Sequence, residues 1–148
     1  MTIEQVLTEF IEVQKIPIFG IAGGVGFTKA LPGWHPKELM PKCQSVVVFG
    51  GPYIKHPLQI DEKTHVANDS WWDANQVVYE QISGWKGHLV NIFDNHGLGV
   101  ASFGGFQLAK TPTFSYRLAQ EEAGIGVYGR IGVCITPTYG CYTMWECC

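Results

Sequence analysis

The stretch that most constrains this chain runs from residue 123 to residue 140 and reads Ala-Gly-Ile-Gly-Val-Tyr-Gly-Arg-Ile-Gly-Val-Cys-Ile-Thr-Pro-Thr-Tyr-Gly. Gly124, Gly126, Gly129 and Gly132 punctuate it, a β-branched run over 133–136 follows, and Pro137 to Gly140 close it as a turn. Glycines this dense admit positive φ and let backbone approach something flat or bulky. The spacing before it predicts a helix over 112–122, and the run after Gly132 predicts a strand over 133–136. Two readings compete for the glycines. Either they bring backbone N–H groups to a cofactor, or they are a helix stop followed by a plain loop.

Upstream, helices and strands alternate. Thr2 with Gln5 three residues on has capping-box form, and Ile3, Val6, Leu7, Phe10 and Ile11 repeat at helical spacing, so 3–14 is predicted as an amphipathic helix. The apolar run 16–22 is a candidate buried strand. The glycines from Gly20 to Gly26 only superficially resemble a dinucleotide loop, because Pro32, Gly33 and Pro36 interrupt the long helix such a loop must open. His35 to Pro41 reads as one helical turn with Pro36 at the first helical position. Residues 43–50 form the best strand in the chain, β-branched, uninterrupted and expected to be buried on both faces. It breaks at Gly50-Gly51-Pro52, which leaves Tyr53 at a strand's C-terminal end, where α/β sheets present functional groups.

Residues 54–68 are polar and read as a solvated excursion. Its His56 and His65 are not linked to Asp61 or Glu62 by metal-like spacing. A helix capped by Asp69 or Ser70 follows, carrying Trp71, Trp72, Val78 and Ile82 on one side. Gly84 and Gly87 are expected to weaken or bend it before His88, Leu89, Ile92 and Phe93 resume the stripe. Gly97 stops it, 98–103 is predicted as a strand, Thr111-Pro112 restarts a helix, and 141–145 is expected to return as a hairpin.

The chain has 148 residues, read as one domain large enough to bury a core. Only 16% of its residues are charged against 46% hydrophobic, so some apolar surface is expected to be covered by a cofactor, a second subunit or a further domain. A net charge of −3 argues against a general nucleic-acid or anionic-membrane binder. No apolar run is long enough to span a bilayer and the N-terminal segment is acidic, which suggests a cytoplasmic protein. The cysteines are Cys43, Cys134, Cys141, Cys147 and Cys148, with no C-x-x-C pair, so neither a metal site nor an iron–sulfur framework is spelled out. Cys43 and Cys134 read as small buried hydrophobes. Cys147 and Cys148 are read either as exposed thiols or as the start of something further.

The 123–140 run resembles the signature Ala-Gly-Leu-Gly-x-x-Gly-Lys/Arg-x-Gly-Leu-Leu-Ile-Thr-Pro-Glu-Tyr-Gly of the family of epoxyqueuosine reductases, corrinoid reductive dehalogenases and their relatives. Residues 35–50 are similar to that family's Pro-x-x-Leu-Leu-Pro-x-Ala-x-Ser-Val-Ile-Val block, and Gly51-Pro52-Tyr53 stands where it often has Leu-Pro-Tyr. The resemblance covers roughly residues 16–140. It implies an α/β fold of nitroreductase-like, three-layer arrangement, with a mixed central sheet flanked by helices. It also implies a cobalamin (cobamide) bound through Gly124, Ile125, Gly126, Gly129, Arg130, Ile131, Gly132, Thr136, Pro137 and Tyr139. A neutral macrocycle wants apolar faces and backbone groups rather than a charged pocket, which fits this composition.

Two departures from the family pattern stand out. The ferredoxin-like segment that normally follows the Tyr-Gly turn is missing up to Cys148, so electrons are expected from a separate iron–sulfur or flavin donor. No Asp or Glu lies between Gly97 and Gln120, so the family's acid, which would fall near Lys110, is absent. Proton-donor candidates are then Tyr53, Tyr116, Tyr128 and Tyr139. Of these Tyr53 is paired with Arg130 as the catalytic set, a nearby cation being able to lower a phenol's pKa. The expected activity is cobalt-mediated reduction of a small-molecule substrate. The alternatives are a non-catalytic cobamide carrier and an FMN-binding, nitroreductase-like oxidoreductase that completes its site as a homodimer.

Overall fold

The computed structural model describes residues 2–54, 66–102 and 115–148, and within these the side chains of 74 onward in the long central helix. Helix α1 (Ile3–Gln14) starts as its sequence dictates: the Thr2 hydroxyl accepts from the Gln5 N–H while the Gln5 side chain accepts from the Thr2 N–H at 2.9 Å. These reciprocal bonds satisfy donors that the first turn leaves orphaned. Strand β1 (Ile18–Gly23) follows, then the single turn α2 (Pro36–Leu39), opened by proline where its missing N–H costs nothing.

Strand β2 (Ser45–Pro52) is the centre of the molecule. It pairs antiparallel with β1 on one side and with β5 (Thr143–Cys147) on the other, giving the sheet order β1-β2-β5. Register runs from Ile18 opposite Gly50 to Gly23 opposite Ser45, and from Val48 opposite Cys147 to Pro52 opposite Thr143. Successive β2 side chains point to opposite faces, and both faces are covered. Val46 and Val48 pack with Leu118, Ala119 and Ile125, whereas Val47 and Phe49 pack with Leu7, Ile82, Trp85, Leu89 and Phe93. The first group belongs to α4 (Tyr116–Glu122) and its exit, the second to α1 and α3 (Val66–Asn95). The result is three layers, helices on both faces of a sheet, as an α/β chain with an all-apolar central strand requires. Gly50 permits the tight β2–β5 pairing, since a Cβ there would run into the Met144 carbonyl and the Trp145 ring. A short hairpin, β3 (Val127–Tyr128) with β4 (Cys134–Ile135), completes the order.

Several expectations are corrected. Every described pairing is antiparallel, so the central sheet is not mixed among the described residues. The segment 141–145 does not fold back on the strand before it. Its strand instead joins β2, whose second edge would otherwise leave a buried row of N–H and C=O groups unpaired. Residues 98–102 form no strand; Leu98 is exposed, and its N–H closes the end of α3 on the Phe93 carbonyl. Phe103 and the predicted Thr111-Pro112 helix start lie outside the described residues, as do His56, Asp61, Glu62, His65 and Lys110. The helix predicted from Asp69 begins earlier, at Val66, and runs unbroken through Gly84 and Gly87. Neither Cys147 nor Cys148 is an exposed thiol. Burial holds the Cys147 thiol well above its ordinary pKa and pushes Cys148 up to about 12. No helix of the described residues is long and apolar enough to cross a membrane.

Candidate active site

The end of β2 delivers Tyr53 beside β5, where its N–H donates to the Tyr142 carbonyl at 3.1 Å. The next residue is tied to α3, the Ile54 N–H donating to the Asn75 side-chain carbonyl at 3.1 Å. One turn further along α3 from Asn75 stands Tyr79, on the same side of the helix. On the opposite layer α4 is started by Ser115, whose hydroxyl accepts from the Leu118 N–H at 3.3 Å, and this first turn presents Tyr116 and Arg117. Between them lies the outer edge of β5. The space between them is a half-open cleft of about 410 Å³, within the size range of small-molecule sites. Its walls are Tyr53, Tyr79, Tyr116, Arg117 and Gln120 with Val133, Cys134, Cys141, Thr143, Met144 and Trp145.

Its electrostatics are simple. Arg117 is the one cation among these residues and there is no carboxylate. Burial raises the Tyr53 phenol above its ordinary value, so it keeps its proton through neutral pH. This reverses the expectation of a phenol made more acidic by a cation. Thr143, only 8% exposed, has a hydroxyl with no hydrogen-bond partner among the described residues.

The glycine-rich run divides by role. Gly124, in the left-handed region at φ 69°, closes α4: its N–H donates to the Glu121 carbonyl and that of Ile125 to Gln120, the hydrogen-bonding of a helix stop. Ile125 is core. Gly126 lies against the chain's own β4, where a Cβ would collide with the Ile135 carbonyl and come 2.8 Å from the Cys134 sulfur. Gly129 donates its N–H to the Val133 carbonyl at 2.9 Å and Gly132 to the Gly129 carbonyl at 2.9 Å. Thr136 is buried, its hydroxyl donating to the Gly140 carbonyl at 3.2 Å and accepting from the Tyr139 N–H at 3.0 Å. Tyr139 packs at the edge of the core, and Pro137 is exposed. Arg130 and Ile131 occupy the exposed tip of the hairpin.

The two predicted catalytic residues are therefore not brought together at the cavity. Tyr53 lines it and Arg130 does not; Arg117 supplies the cation instead. Periodicity placed Arg117 on the outer face of its helix, and it is indeed exposed, but its guanidinium extends over Gly132, 3.2 Å from where a Cβ there would stand. The absence of a side chain at residue 132, together with the adjoining Tyr116, was the available signal. At Gly126, Gly129 and Gly132 the close approach is made to the protein itself, whereas nothing lies within 4 Å of where a Cβ would stand at Gly124 or Gly140.

The hairpin has a second property. Val127, Tyr128, Ile131 and Ile135 are all exposed, Ile131 to 79%. No Asp or Glu occurs between Glu122 and Glu146.

No family model and no curated protein matches the sequence. Solved structures do. An epoxyqueuosine reductase from Bacillus subtilis is similar over 99% of this chain and 45% of its own, with TM-score 0.62 and 18% identity. A selenomethionine-labelled epoxyqueuosine reductase gives TM-score 0.65 at 18% identity over the same shares. An epoxyqueuosine reductase holding an epoxyqueuosine-modified tRNA stem loop gives 0.59 at 20%. This chain thus spans less than half the length of each of them. The tRNA stem loop belongs to that last structure. The likeness establishes the fold, which is the α/β arrangement of the matched 45% of epoxyqueuosine reductase.

Proposed function

We propose that residues 1–148 form one α/β domain that holds a cobamide and serves as the substrate-binding half of an epoxyqueuosine-reductase-like reductase. The observation that carries this is the fold likeness over 99% of the chain, which includes the 123–140 signature in full. The hairpin fits such a group in composition. Val127, Ile131, Ile135 and Pro137 offer an exposed apolar face without a nearby carboxylate in sequence, suited to a neutral macrocycle. Gly126, Gly129 and Gly132 act one step back, holding that face by packing on β4 and Arg117.

When bound, a corrin supplies reductive chemistry at cobalt, with electrons from a separate iron–sulfur or flavin protein. This chain's part is to bind and orient the substrate in the cleft. Tyr53, kept protonated by burial, holds a proton at Oη for delivery to the substrate. Arg130, at the hairpin tip, belongs on this reading to the cofactor face rather than to the proton path. A nucleic-acid substrate is a second reading, favoured by the tRNA stem loop in a protein of the same fold.

The test is to mix the apo-protein with hydroxocobalamin or FMN, desalt, and record the spectrum. Retained corrin bands at the base-off position are expected, with loss of retention in Ile131→Asp, a change the exposed tip tolerates. A retained flavin spectrum moves the assignment to an FMN oxidoreductase, and retention of neither overturns both. Gel shift with a tRNA stem loop decides the second reading.

A further inference from the structure

The cavity is more selective than a general apolar pocket. Tyr53, Tyr79, Tyr116 and Trp145 contribute rings from four different elements or element ends, on both helical layers and the sheet edge. A lining rich in aromatic residues favours a flat guest, because rings gain from offset and edge-to-face contacts beyond simple burial. Arg117 is the one charged residue in the lining, which favours an anionic guest over a cationic one, although Glu121 lies close enough to act on the Cys134 thiol in the same wall. A volume of about 410 Å³ suits one or two fused rings with substituents. Thr143 adds a hydroxyl that the protein itself leaves without a partner among the described residues. That oxygen is buried where it stands, and a χ1 step carries it to another staggered position.

We propose that this cavity is a subsite for a planar aromatic group carrying a single negative charge, with its ring among the tyrosines and Trp145 and its anion on Arg117. This names the substrate class for the reading above and rests on the cavity being the substrate side of that reductase. Thr143 takes a polar ring substituent. Cys141, exposed and in the same wall, is shielded when the subsite is filled.

The probe is 6-hydroxy-2-naphthoate, with 6-hydroxy-2-naphthamide as its uncharged twin, titrated into the full chain and followed by ligand fluorescence. The acid is expected to bind about tenfold or more tightly than the amide, the size of one charge-assisted pair. Arg117→Gln, at an exposed position, removes that preference while leaving amide binding in place. Thr143→Val weakens binding of the acid severalfold without loss of folding. Saturating acid slows iodoacetamide labelling of Cys141, read by mass spectrometry, in proportion to occupancy. Equal binding of acid and amide, an unchanged preference in Arg117→Gln, or unprotected Cys141 each overturns the proposal. Hydroxocobalamin retention is measured on the same samples. A chain that keeps the corrin but shows no charge preference refutes the subsite alone, whereas a selective chain that retains no corrin refutes the reductase reading and leaves the subsite supported.

Discussion

At the scale of single residues, two positions decide how the glycine-rich run is understood. Gly126 is packed on the Ile135 carbonyl and the Cys134 sulfur, so even a methyl group must displace backbone. Gly126→Ala is expected to lower stability by about 1–3 kcal/mol, the usual cost of overpacking, measurable by urea unfolding. Losing cofactor retention in that variant would therefore say nothing of a cofactor contact, and Ile131 is the better position to probe. Thr143 presents the opposite case. Its buried hydroxyl has no partner among the described residues, so Thr143→Val is expected to gain about 1 kcal/mol of stability while weakening ligand binding. Gain of stability with loss of affinity is the pattern of a group placed for a ligand. The sequence could show neither effect, because both depend on which strand lies opposite.

At the scale of elements, α3 and β5 depart most from the sequence reading. Gly84 and Gly87 were expected to weaken or bend α3, and they do not bend it. Each sits in a continuous helix with nothing within 4 Å of where a Cβ would be, so they weaken the helix without being needed by it. Gly84→Ala and Gly87→Ala are each expected to stabilise by about 0.5–1 kcal/mol, a rise of roughly 2–4 °C in Tm by calorimetry. Strand β5 is tied to α3 by Glu146, 1% exposed, whose carboxylate lies 3.3 Å from the Lys86 ammonium. Lys86→Met is expected to destabilise by about 1–3 kcal/mol, since it takes a charged hydrogen-bond donor away from a buried carboxylate, again read by urea unfolding. Nothing in the spacing of residues 86 and 146 announces this pair. It exists because β5 crosses to β2 rather than turning back on β4.

At the scale of the whole molecule, the two cores on either side of β2 bury Cys147 and partly bury Cys148. The Cys148 N–H donates to the Val47 carbonyl at 3.0 Å, and its own carbonyl accepts from Val47 at 2.7 Å. Burial raises both terminal thiols, Cys148 to about 12. Their protonated forms are thus favoured in the folded chain. Stability is fully present below the ordinary thiol value of 9.0 and is lost as pH climbs from there toward about 12. Unfolding free energies at pH 8 and pH 10.5 are expected to show that decline, and Cys148→Ala, though weaker at pH 8, is expected to show a shallower one.

What the sequence determined by itself is what local chemistry suffices to specify. The Thr2 capping box, the proline-opened turn at Pro36 and the doubly buried strand through Val46–Phe49 all follow from neighbours within a few residues. The motif over 123–140 likewise announced the fold later matched in solved structures. The tertiary structure decided the rest. Gly126, Gly129 and Gly132 face the protein's own strand and helix because β4 and Arg117 occupy the space they leave. Tyr53 stands in a cavity with Arg117 rather than Arg130 because α4 and the end of β2 meet at the open edge of β5, a juxtaposition of residues more than sixty positions apart. Side-chain period and capping are written in the chain; which elements share an edge depends on burying both faces of β2 at once.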